Sequence, residues 1–262
     1  MNLDLTGKTA VVGGSTQGIG FATAVELANM GASLVLLARN EEKLRDAVGK
    51  LDTSKGQKHG YLVADYFQND QVKNAIQSWV DAGNTAHILV NNTGGPPAGP
   101  AHTANIEEYL TAFKAHLINN QILAQALIPG MKEAGFGRIV NVISTSVKIP
   151  LNGLGVSNTV RGAVANWSKT LANELGAFNI TVNNVLPGAT ETERLTSIIS
   201  NKAGKTGNSE DKVAEAMTNQ VPMKRFAQPE EVANAVAFLA SPAAAYINGI
   251  NVPVDGGRTG SL

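Results

Sequence analysis

A glycine-rich stretch near the amino terminus has the residue types and spacing that hold a phosphate. It reads Gly13-Gly14-Ser15-Thr16-Gln17-Gly18-Ile19-Gly20. Glycines let the backbone turn sharply and approach a pyrophosphate, and a following helix offers unpaired N–H groups and the positive end of its dipole. A plain turn is the alternative, but an apolar run precedes the stretch and a helical pattern follows it. The stretch therefore predicts a dinucleotide-binding turn between a strand and a helix.

The end of the next apolar run indicates which dinucleotide is bound. A site for NAD normally places an acidic residue about 20 residues beyond the glycines, on the ribose 2′-hydroxyl. This chain has Ala38 there, followed by Arg39. Alanine leaves room for a 2′-phosphate, and a guanidinium can bind it through two hydrogen bonds. We therefore expect NADP(H) rather than NAD(H), the alternative for Arg39 being a solvated residue at a helix start.

Polar side chains end two further apolar runs. Asp65 follows the third run, where it can accept a hydrogen bond from an adenine amino group or cap the next helix. Asn91 ends the fourth run, before a Gly/Pro turn over 92–97 on the side of the sheet where ligands bind. Two roles stay open for Asn91, which are stabilising the central strands and bordering the adenosine ribose.

Seven short apolar runs alternate with helical patterns along the chain. The predicted strands cover 9–12, 34–37, 60–64, 88–91, 139–143, 180–185 and 251–254. The predicted helices begin near Gly18, Glu41, Gln68, Ile106, Leu154 and Pro229. Apolar runs without alternation suit strands that are buried on both faces of a parallel sheet. The sequence therefore predicts a doubly wound α/β fold, with a parallel seven-stranded sheet and helices on both faces.

One segment, 188–220, breaks this rhythm. It is polar, contains Gly204 and Gly207, and is long for a connection. Such insertions often form a mobile lid over a site, and the alternative is a plain surface excursion. Its first residues, 191–194, indicate a helix start rather than a pair of catalytic carboxylates. No linker divides the chain, so we expect a single domain over 1–262.

Composition argues against several classes of protein. The formal net charge is +0, which argues against nucleic acid as the main partner. Cysteine is absent, so disulfides and thiolate chemistry are excluded. We see no signal peptide and no apolar run of membrane-spanning length, and we expect a cytoplasmic protein without a membrane partner. The histidines have no metal-ligand spacing, so we expect no metal.

Several motifs together resemble the short-chain dehydrogenase/reductase family over almost the whole chain. The stretch 14–20 is similar to the family's glycine motif, with Gly13 where threonine is usual. The other matching motifs are Asn91-Asn92-Thr93-Gly94, with Thr93 for alanine, Leu186-Pro187-Gly188 and Val254-Asp255-Gly256-Gly257. The nearest resemblance is to the 3-oxoacyl-carrier-protein reductase-like branch, which implies a Rossmann-like fold and a nicotinamide cofactor.

The resemblance also implies which residues hold that cofactor. Thr190 or Thr192 is expected to position the nicotinamide carboxamide. The expected cofactor-binding residues are Gly14, Ser15, Thr16, Gln17, Gly18, Ile19, Gly20, Arg39, Asp65, Asn91, Thr93, Gly94, Arg161, Pro187, Gly188, Thr190 and Thr192.

The family's active site uses asparagine, serine, tyrosine and lysine, of which this chain keeps only the serine, Ser144. The tyrosine and lysine positions fall on Ser157 and Arg161, and the asparagine position falls on His116. No Tyr-x-x-x-Lys occurs elsewhere in the chain. Serine is a much weaker acid than a phenol, and arginine stays charged, so the usual proton donor is missing. Arg161 can still hold the ribose hydroxyls and stabilise an oxyanion.

Two functions therefore stay open. The first is an NADP(H)-dependent, 3-oxoacyl reductase-like oxidoreductase acting on a carbonyl or alcohol, in which Ser144 binds the substrate oxygen, Arg161 stabilises charge and Ser157 makes space. His116 is the first candidate acid because imidazole titrates near neutral pH, with Lys148 second. The alternatives are a packed histidine and a solvated loop lysine. The second function is a non-catalytic NADP(H)-binding sensor or structural protein.

The long helices over 106–131 and 154–175 are rich in alanine and leucine. In the family, the matching helices form a four-helix dimer interface, and tetramers are common. The resemblance therefore implies a homodimer or homotetramer, and the alternative is that these helices only cover the sheet.

Overall fold

All seven predicted strands form, and they lie in one parallel sheet. The computed structural model describes residues 1–261, so Leu262, the end of the predicted domain, lies outside the described residues. The order across the sheet is β3-β2-β1-β4-β5-β6-β7, and each neighbouring pair is parallel. The strands are β1 (Thr9–Gly13), β2 (Ser33–Ala38), β3 (Gly60–Val63), β4 (Ile88–Asn91), β5 (Gly137–Val142), β6 (Ile180–Pro187) and β7 (Asn251–Val254).

Helices cover both faces of this sheet. They are α1 (Gly18–Asn29), α2 (Glu41–Gly49), α3 (Asn69–Asp81), α4 (Ile106–Phe113), α5 (Asn119–Glu133), α6 (Gly155–Leu175), α7 (Glu193–Thr206), α8 (Glu210–Thr218) and α9 (Pro229–Ala240). Helix α1 packs against α9 on one face, and α3 packs against α5 on the other. The predicted fold class is confirmed. Within residues 1–261, no helix is long and apolar enough to cross a membrane.

Successive strand residues enter opposite halves of the core. Val12 and Leu36 pack in the cluster that includes α1 and α9, whereas Val11 and Leu37 pack in the cluster that includes α3 and α5. Side chains alternate across a strand, so a strand buried on both faces must be apolar throughout. This explains the continuous apolar runs in the sequence.

The structure corrects the interpretation of 188–220 as an irregular segment. The segment contains two helices, α7 and α8, which pack against each other. Thr192 and Ser209 cap them by accepting hydrogen bonds from backbone N–H groups, and Gly207 ends α7 with φ 70°. Residues that favour loops therefore act here as helix caps. The helix start expected over 191–194 is confirmed.

The predicted helix over 106–131 is interrupted by a wider turn. Helix α4 leads into a π-helical turn, Lys114–Ile118, and α5 follows without a break. Such turns often occur at functional sites. His116 lies in this turn and is 4% exposed.

Candidate functional site

A cleft of about 730 Å³ opens at the carboxyl ends of the strands. Strand β1 lies between β2 and β4 there, so the strand order reverses at the cleft, as it does where ligands bind in open α/β sheets. The structure brings most predicted site residues together from distant parts of the chain. The predicted residues that line the cleft are Gly14, Thr16, Gln17, Gly18, Ile19, Arg39, Asp65, Thr93, Gly94, Ser144, Ser157, Arg161, Pro187, Gly188, Thr190 and Thr192.

Two predicted residues of the glycine turn shape it from behind rather than line the cleft. Ser15 is fully buried, and its hydroxyl accepts a hydrogen bond from the Leu37 N–H at 3.1 Å, which fixes the turn to β2. A Cβ at Gly20 would lie 2.2 Å from the Gly14 carbonyl oxygen, so glycine is needed for α1 to approach the turn. Both residues therefore shape the glycine turn, and their contact with a cofactor stays a prediction.

The glycine turn has the features that a pyrophosphate requires. Gly14 and Gly18 both have φ +55°, a conformation that glycine adopts without strain. No side chain within residues 1–261 caps the amino end of α1, so its first N–H groups remain available to an anion. A Cβ at Gly18 would lie 3.2 Å from Cγ2 of Thr192, which places the start of the 188–220 segment beside the turn.

Gly13 has a structural explanation that the sequence did not provide. A Cβ at this position would lie 2.2 Å from the Tyr66 hydroxyl oxygen and 2.8 Å from the Asn92 carbonyl oxygen. Tyr66 therefore occupies the space that a larger residue at position 13 would need. Its ring is buried, which raises the pKa of its hydroxyl, and Tyr66 also lines the cleft. Sequence reasoning missed it.

The adenosine end of the cleft carries two cations beside a small residue. Ala38, Arg39 and Lys43 all line it, and both cations are exposed. Asn40 caps α2 by accepting a hydrogen bond from the Lys43 N–H at 2.9 Å, which fixes the start of this helix. Lys43 was missed, although its position one helical turn beyond Arg39 was a usable signal.

Asp65 faces the same end of the cleft. Its carboxylate accepts a hydrogen bond from the Phe67 N–H at 3.0 Å, within the turn that follows β3. Helix α3 begins later, at Asn69, with Gln68 at its cap position. The helix-capping alternative for Asp65 is therefore wrong, and its carboxylate lines the cleft.

Asn91 belongs to a row of amide side chains that crosses four strands, here called the asparagine ladder: Asn91, Asn141, Asn184 and Asn251. Each Nδ2 donates to the Oδ1 of the next residue, at 2.8, 2.9 and 2.8 Å. The four residues are in register across β4, β5, β6 and β7. Asn91 is 3% exposed and is not part of the cleft lining. Its assignment to the cofactor site is corrected, and the structure supports the strand-stabilising role.

His116 also lies behind the cleft lining. Burial, followed by the charge of Arg161, holds the pKa of His116 well below the usual range; a backbone hydrogen bond with Gly94 acts in the opposite direction, and the charge of Arg194 makes the smallest contribution, which also lowers the pKa. The imidazole is therefore neutral at neutral pH and is not poised to donate a proton. This corrects the catalytic assignment of His116. Lys148 is exposed and is not part of the lining.

Ser144, Ser157 and Arg161 meet at the other end of the cleft. Ser144 follows β5, and its Oγ accepts the Ser146 N–H at 3.1 Å. Ser157 and Arg161 lie one turn apart on α6 and both line the cleft. Arg161 is 8% exposed, and its Nη1 donates to the Val142 carbonyl oxygen at 2.8 Å. Burial, with the charge of Arg194, lowers its pKa to about 10, so it stays charged at neutral pH.

Arg194 is a further cleft residue that sequence reasoning treated only as part of a helix start. It lies in the first turn of α7 and is exposed to the cleft. Its Nη2 donates to the Pro96 carbonyl oxygen, which joins α7 to the loop after β4. Partial burial lowers its pKa. Its position two residues after Thr192, in the segment expected to cover the site, was the available signal.

Comparisons with known proteins agree with this geometry. Residues 14–259 match the family model described as enoyl-(acyl carrier protein) reductase. A tropinone reductase homolog of Arabidopsis thaliana is 32% identical over 97% of this chain and 93% of its own length. The 3-oxoacyl-[acyl-carrier-protein] reductase FabG of Chlamydia trachomatis is 30% identical over 97% and 98%. L-sorbose reductase of Gluconobacter frateurii, solved with NADPH and L-sorbose, has a TM-score of 0.93 and 32% identity, covering 100% of both chains.

A parallel sheet with a glycine turn and a cleft at its switch point defines a dinucleotide-binding α/β protein. With the family match over 14–259, the chain belongs to the short-chain dehydrogenase/reductase family, in its 3-oxoacyl-carrier-protein reductase-like branch.

Proposed function

We propose that this protein is an NADP(H)-dependent oxidoreductase that acts on a carbonyl or alcohol substrate through an altered proton-donor site. One observation carries the proposal, which is that a single cleft joins the glycine turn and Arg39 to Ser144, Ser157 and Arg161. Relatives named as reductases, including one solved with NADPH, support the same class of reaction. The segment 188–220 is proposed as the substrate lid of a single domain.

The residues present fit the phosphorylated cofactor. The glycine turn and the uncapped end of α1 suit the pyrophosphate, and Arg39 with Lys43 suits a 2′-phosphate beside Ala38. We propose that Asp65 accepts a hydrogen bond from adenine and that Thr190 or Thr192 holds the carboxamide; all three residues line the cleft. When bound, a reduced nicotinamide supplies two electrons and a hydrogen to a carbonyl carbon.

The side chains at the other end of the cleft suit the oxygen of that carbonyl. As negative charge develops on the oxygen, Ser144 and Ser157 donate hydrogen bonds to it and Arg161 stabilises the charge. The oxygen then takes a proton from water in the open cleft, which completes the alcohol. We assign Arg161 to charge stabilisation and not to proton transfer, because arginine keeps its proton in proteins.

A second function is favoured by the same two substitutions. Ser157 and Arg161 stand where the family has its proton donor and the lysine beside it, so the chain can be a non-catalytic NADP(H)-binding sensor or structural protein. Both functions require the cofactor half of the cleft, and they differ only in turnover.

The test measures binding first and turnover second. Calorimetry should show NADPH binding more tightly than NADH, with the difference lost in the double variant Arg39→Ala, Lys43→Ala. Loss of NADPH absorbance is then followed with ketones, aldehydes and 3-oxoacyl thioesters, with His116→Ala alongside as a variant that keeps turnover. NADPH binding without turnover on any of them supports the sensor, and activity that appears in the double variant Ser157→Tyr, Arg161→Lys would show that only the proton donor was lost.

Oligomeric state and cellular location also remain proposals. Apolar side chains on α4 and the π-helical turn are exposed: Ile106, Leu110, Phe113 and Ile118. Contiguous exposed apolar surface of this kind marks interfaces, which supports a homodimer or homotetramer. Light scattering that gives a monomer would discard this proposal. The cytoplasmic location rests on the sequence alone.

A further inference from the structure

Two arginines at the substrate end of the cleft carry charge that no carboxylate of the described chain balances. Arg161 and Arg194, here called the arginine pair, both line the cleft. None of the ion pairs found within residues 1–261 includes either of them. Each donates a single hydrogen bond to the described chain, and in both cases the acceptor is a neutral backbone carbonyl.

The acidic residues that line the cleft do not compensate the pair. These residues are Asp65, Glu191 and Glu193. Glu193 accepts a hydrogen bond from Nε2 of Gln17 at 2.7 Å instead. None of the ion pairs found within residues 1–261 joins any of the three to Arg161 or Arg194. The substrate end of the cleft is therefore positive.

Arg161 makes this positive charge part of a built site. Its side chain is more than nine-tenths buried, and its Nε has no hydrogen-bond partner within residues 1–261. Arg194 lines the same cleft as Arg161, and its charge lowers the pKa of Arg161. A buried cation without a counter-charge is costly, and an anion bound in the cleft beside Arg161 would offset that cost.

We propose that the arginine pair binds a carboxylate of the substrate, so that the reaction acts on oxo acids and on the hydroxy acids formed from them. This inference rests on the proposed oxidoreductase function and names its substrate class. Arg194 is exposed to the cleft, and a guanidinium matches a carboxylate with two parallel hydrogen bonds. Arg161 is proposed to donate both to that carboxylate and, with Ser144 and Ser157 of the same cleft, to the carbonyl oxygen of the same molecule.

The cofactor is a second source of negative charge. Its pyrophosphate is expected at the glycine turn and its ribose hydroxyls at Arg161, and Thr192, two residues before Arg194, lies beside Gly18. Both sources offer anionic oxygen to a guanidinium, so the experiment has to measure substrate preference and cofactor affinity separately.

The experiment compares pyruvate, acetoacetate and levulinate with the methyl ester of each, in which a methyl group replaces the negative charge of the carboxylate. The wild-type protein should have a kcat/KM for at least one acid that is roughly tenfold or more above that for its ester. Arg194→Gln should lower this acid-to-ester ratio roughly tenfold to a hundredfold. Lys202→Gln is the matched control, because it removes one charge from an exposed position on the same helix and should leave the ratio unchanged.

The outcomes separate the inference from the function on which it rests. Turnover of esters and acids at equal efficiency, or a ratio unchanged in Arg194→Gln, overturns the inference and leaves the oxidoreductase standing. A weaker NADPH affinity in Arg194→Gln with an unchanged ratio assigns the pair to the pyrophosphate and also overturns it. If none of these six compounds is turned over, calorimetry of the NADP⁺ complex decides: Arg194-dependent binding of an acid but not its ester supports carboxylate binding by the pair, and its absence overturns the inference, while the separate panel of ketones, aldehydes and 3-oxoacyl thioesters decides the proposed function.

Discussion

Strand β5 contributes to both the asparagine ladder and the site of the arginine pair, but the polar groups of the two regions differ. Those of the ladder are hydrogen-bonded to one another, whereas the two arginines have no carboxylate partner within residues 1–261. Asn141 lies in the middle of the ladder, where its side chain accepts from Asn91 and donates to both Asn184 and Ser168. The next residue, Val142, offers only a backbone carbonyl to Arg161. Amides that satisfy one another stabilise the sheet, whereas cations left without counter-charges remain available to a ligand.

The two regions should therefore differ in the sign of their contribution to stability. A buried polar network is favourable when its members are paired, and the ladder is paired except at Oδ1 of Asn91. A buried cation without a carboxylate lowers the stability of the ligand-free protein, and bound anion restores it by mass action. Functional sites often carry such a cost.

The largest expected effect is a loss of turnover when Arg161 is replaced. Arg161→Met removes the cation that we propose stabilises charge on the substrate oxygen, and we expect kcat to fall roughly a hundredfold to a thousandfold. Steady-state kinetics with NADPH held at saturation measures it. Lys169→Met, at an exposed position on the same helix, should keep wild-type kcat. Equal kcat in Arg161→Met and wild type would remove Arg161 from the chemistry.

Breaking the ladder at its centre should give the largest loss of stability. Asn141→Leu leaves the Asn91 amide and the Asn184 carbonyl group without partners inside the sheet, and we expect the free energy of unfolding to fall by about 2–4 kcal/mol. Urea titration of the ligand-free protein measures the change. Asn251→Ala, at the partly buried end of the ladder, should cost only about 1 kcal/mol. Similar losses at the centre and the end would mean that the ladder is not a network.

The sequence predicted the features that depend on local pattern. The strands, the glycine turn, Arg39 and Ser144 follow from runs, spacings and motif resemblance within a short stretch of chain. The ladder did not follow, because it requires strand order and register to align one asparagine from each of four strands. Tyr66 was missed for the same reason, since its hydroxyl approaches Gly13 from a different strand end.

The sequence also did not predict which of the site residues are buried. His116 was placed near the site by spacing, but its neutral state depends on burial and on two arginines from other elements. Arg194 lies in the cleft because α7 begins beside the glycine turn, where Thr192 caps the helix and lies next to Gly18. Charges that act together across the fold are not adjacent in sequence.

The substitution Arg161→Met should also show the opposite sign of effect on stability from the ladder variant. Methionine fills a similar apolar space without a charge, so we expect the ligand-free protein to gain about 1–2 kcal/mol of unfolding free energy. The same urea titration used for Asn141→Leu measures it. A loss of stability would show that the bond from Arg161 to the Val142 carbonyl outweighs the burial of the charge, and the contrast between the two regions would then fail.

The smallest expected effect is on the pH dependence of stability, and it comes from a hydrogen bond that is lost when a histidine is protonated. At the amino end of β1, Nδ1 of His87 accepts a hydrogen bond from the Thr9 N–H at 3.1 Å. Burial, followed by the charge of Lys8, lowers the pKa of His87. The unfolded chain, with a histidine pKa of about 6.5, therefore binds its proton first as the pH falls. The stability that neutral His87 contributes is therefore fully present above about pH 6.5, and it is lost as the pH falls toward the pKa of His87 in the folded protein.

The variant His87→Asn isolates this contribution. An asparagine Oδ1 can accept the same hydrogen bond but does not titrate, so the free energy of unfolding should fall less steeply below about pH 6.5 than in the wild type. His116 titrates in both proteins, so the difference between the two slopes reports His87 alone. The difference should be small because His87 is only half-buried. If the free energy of unfolding has the same pH dependence in both proteins, the hydrogen bond from Thr9 to His87 does not depend on pH. His87 would then resemble the asparagines of the ladder, whose hydrogen bonds do not titrate.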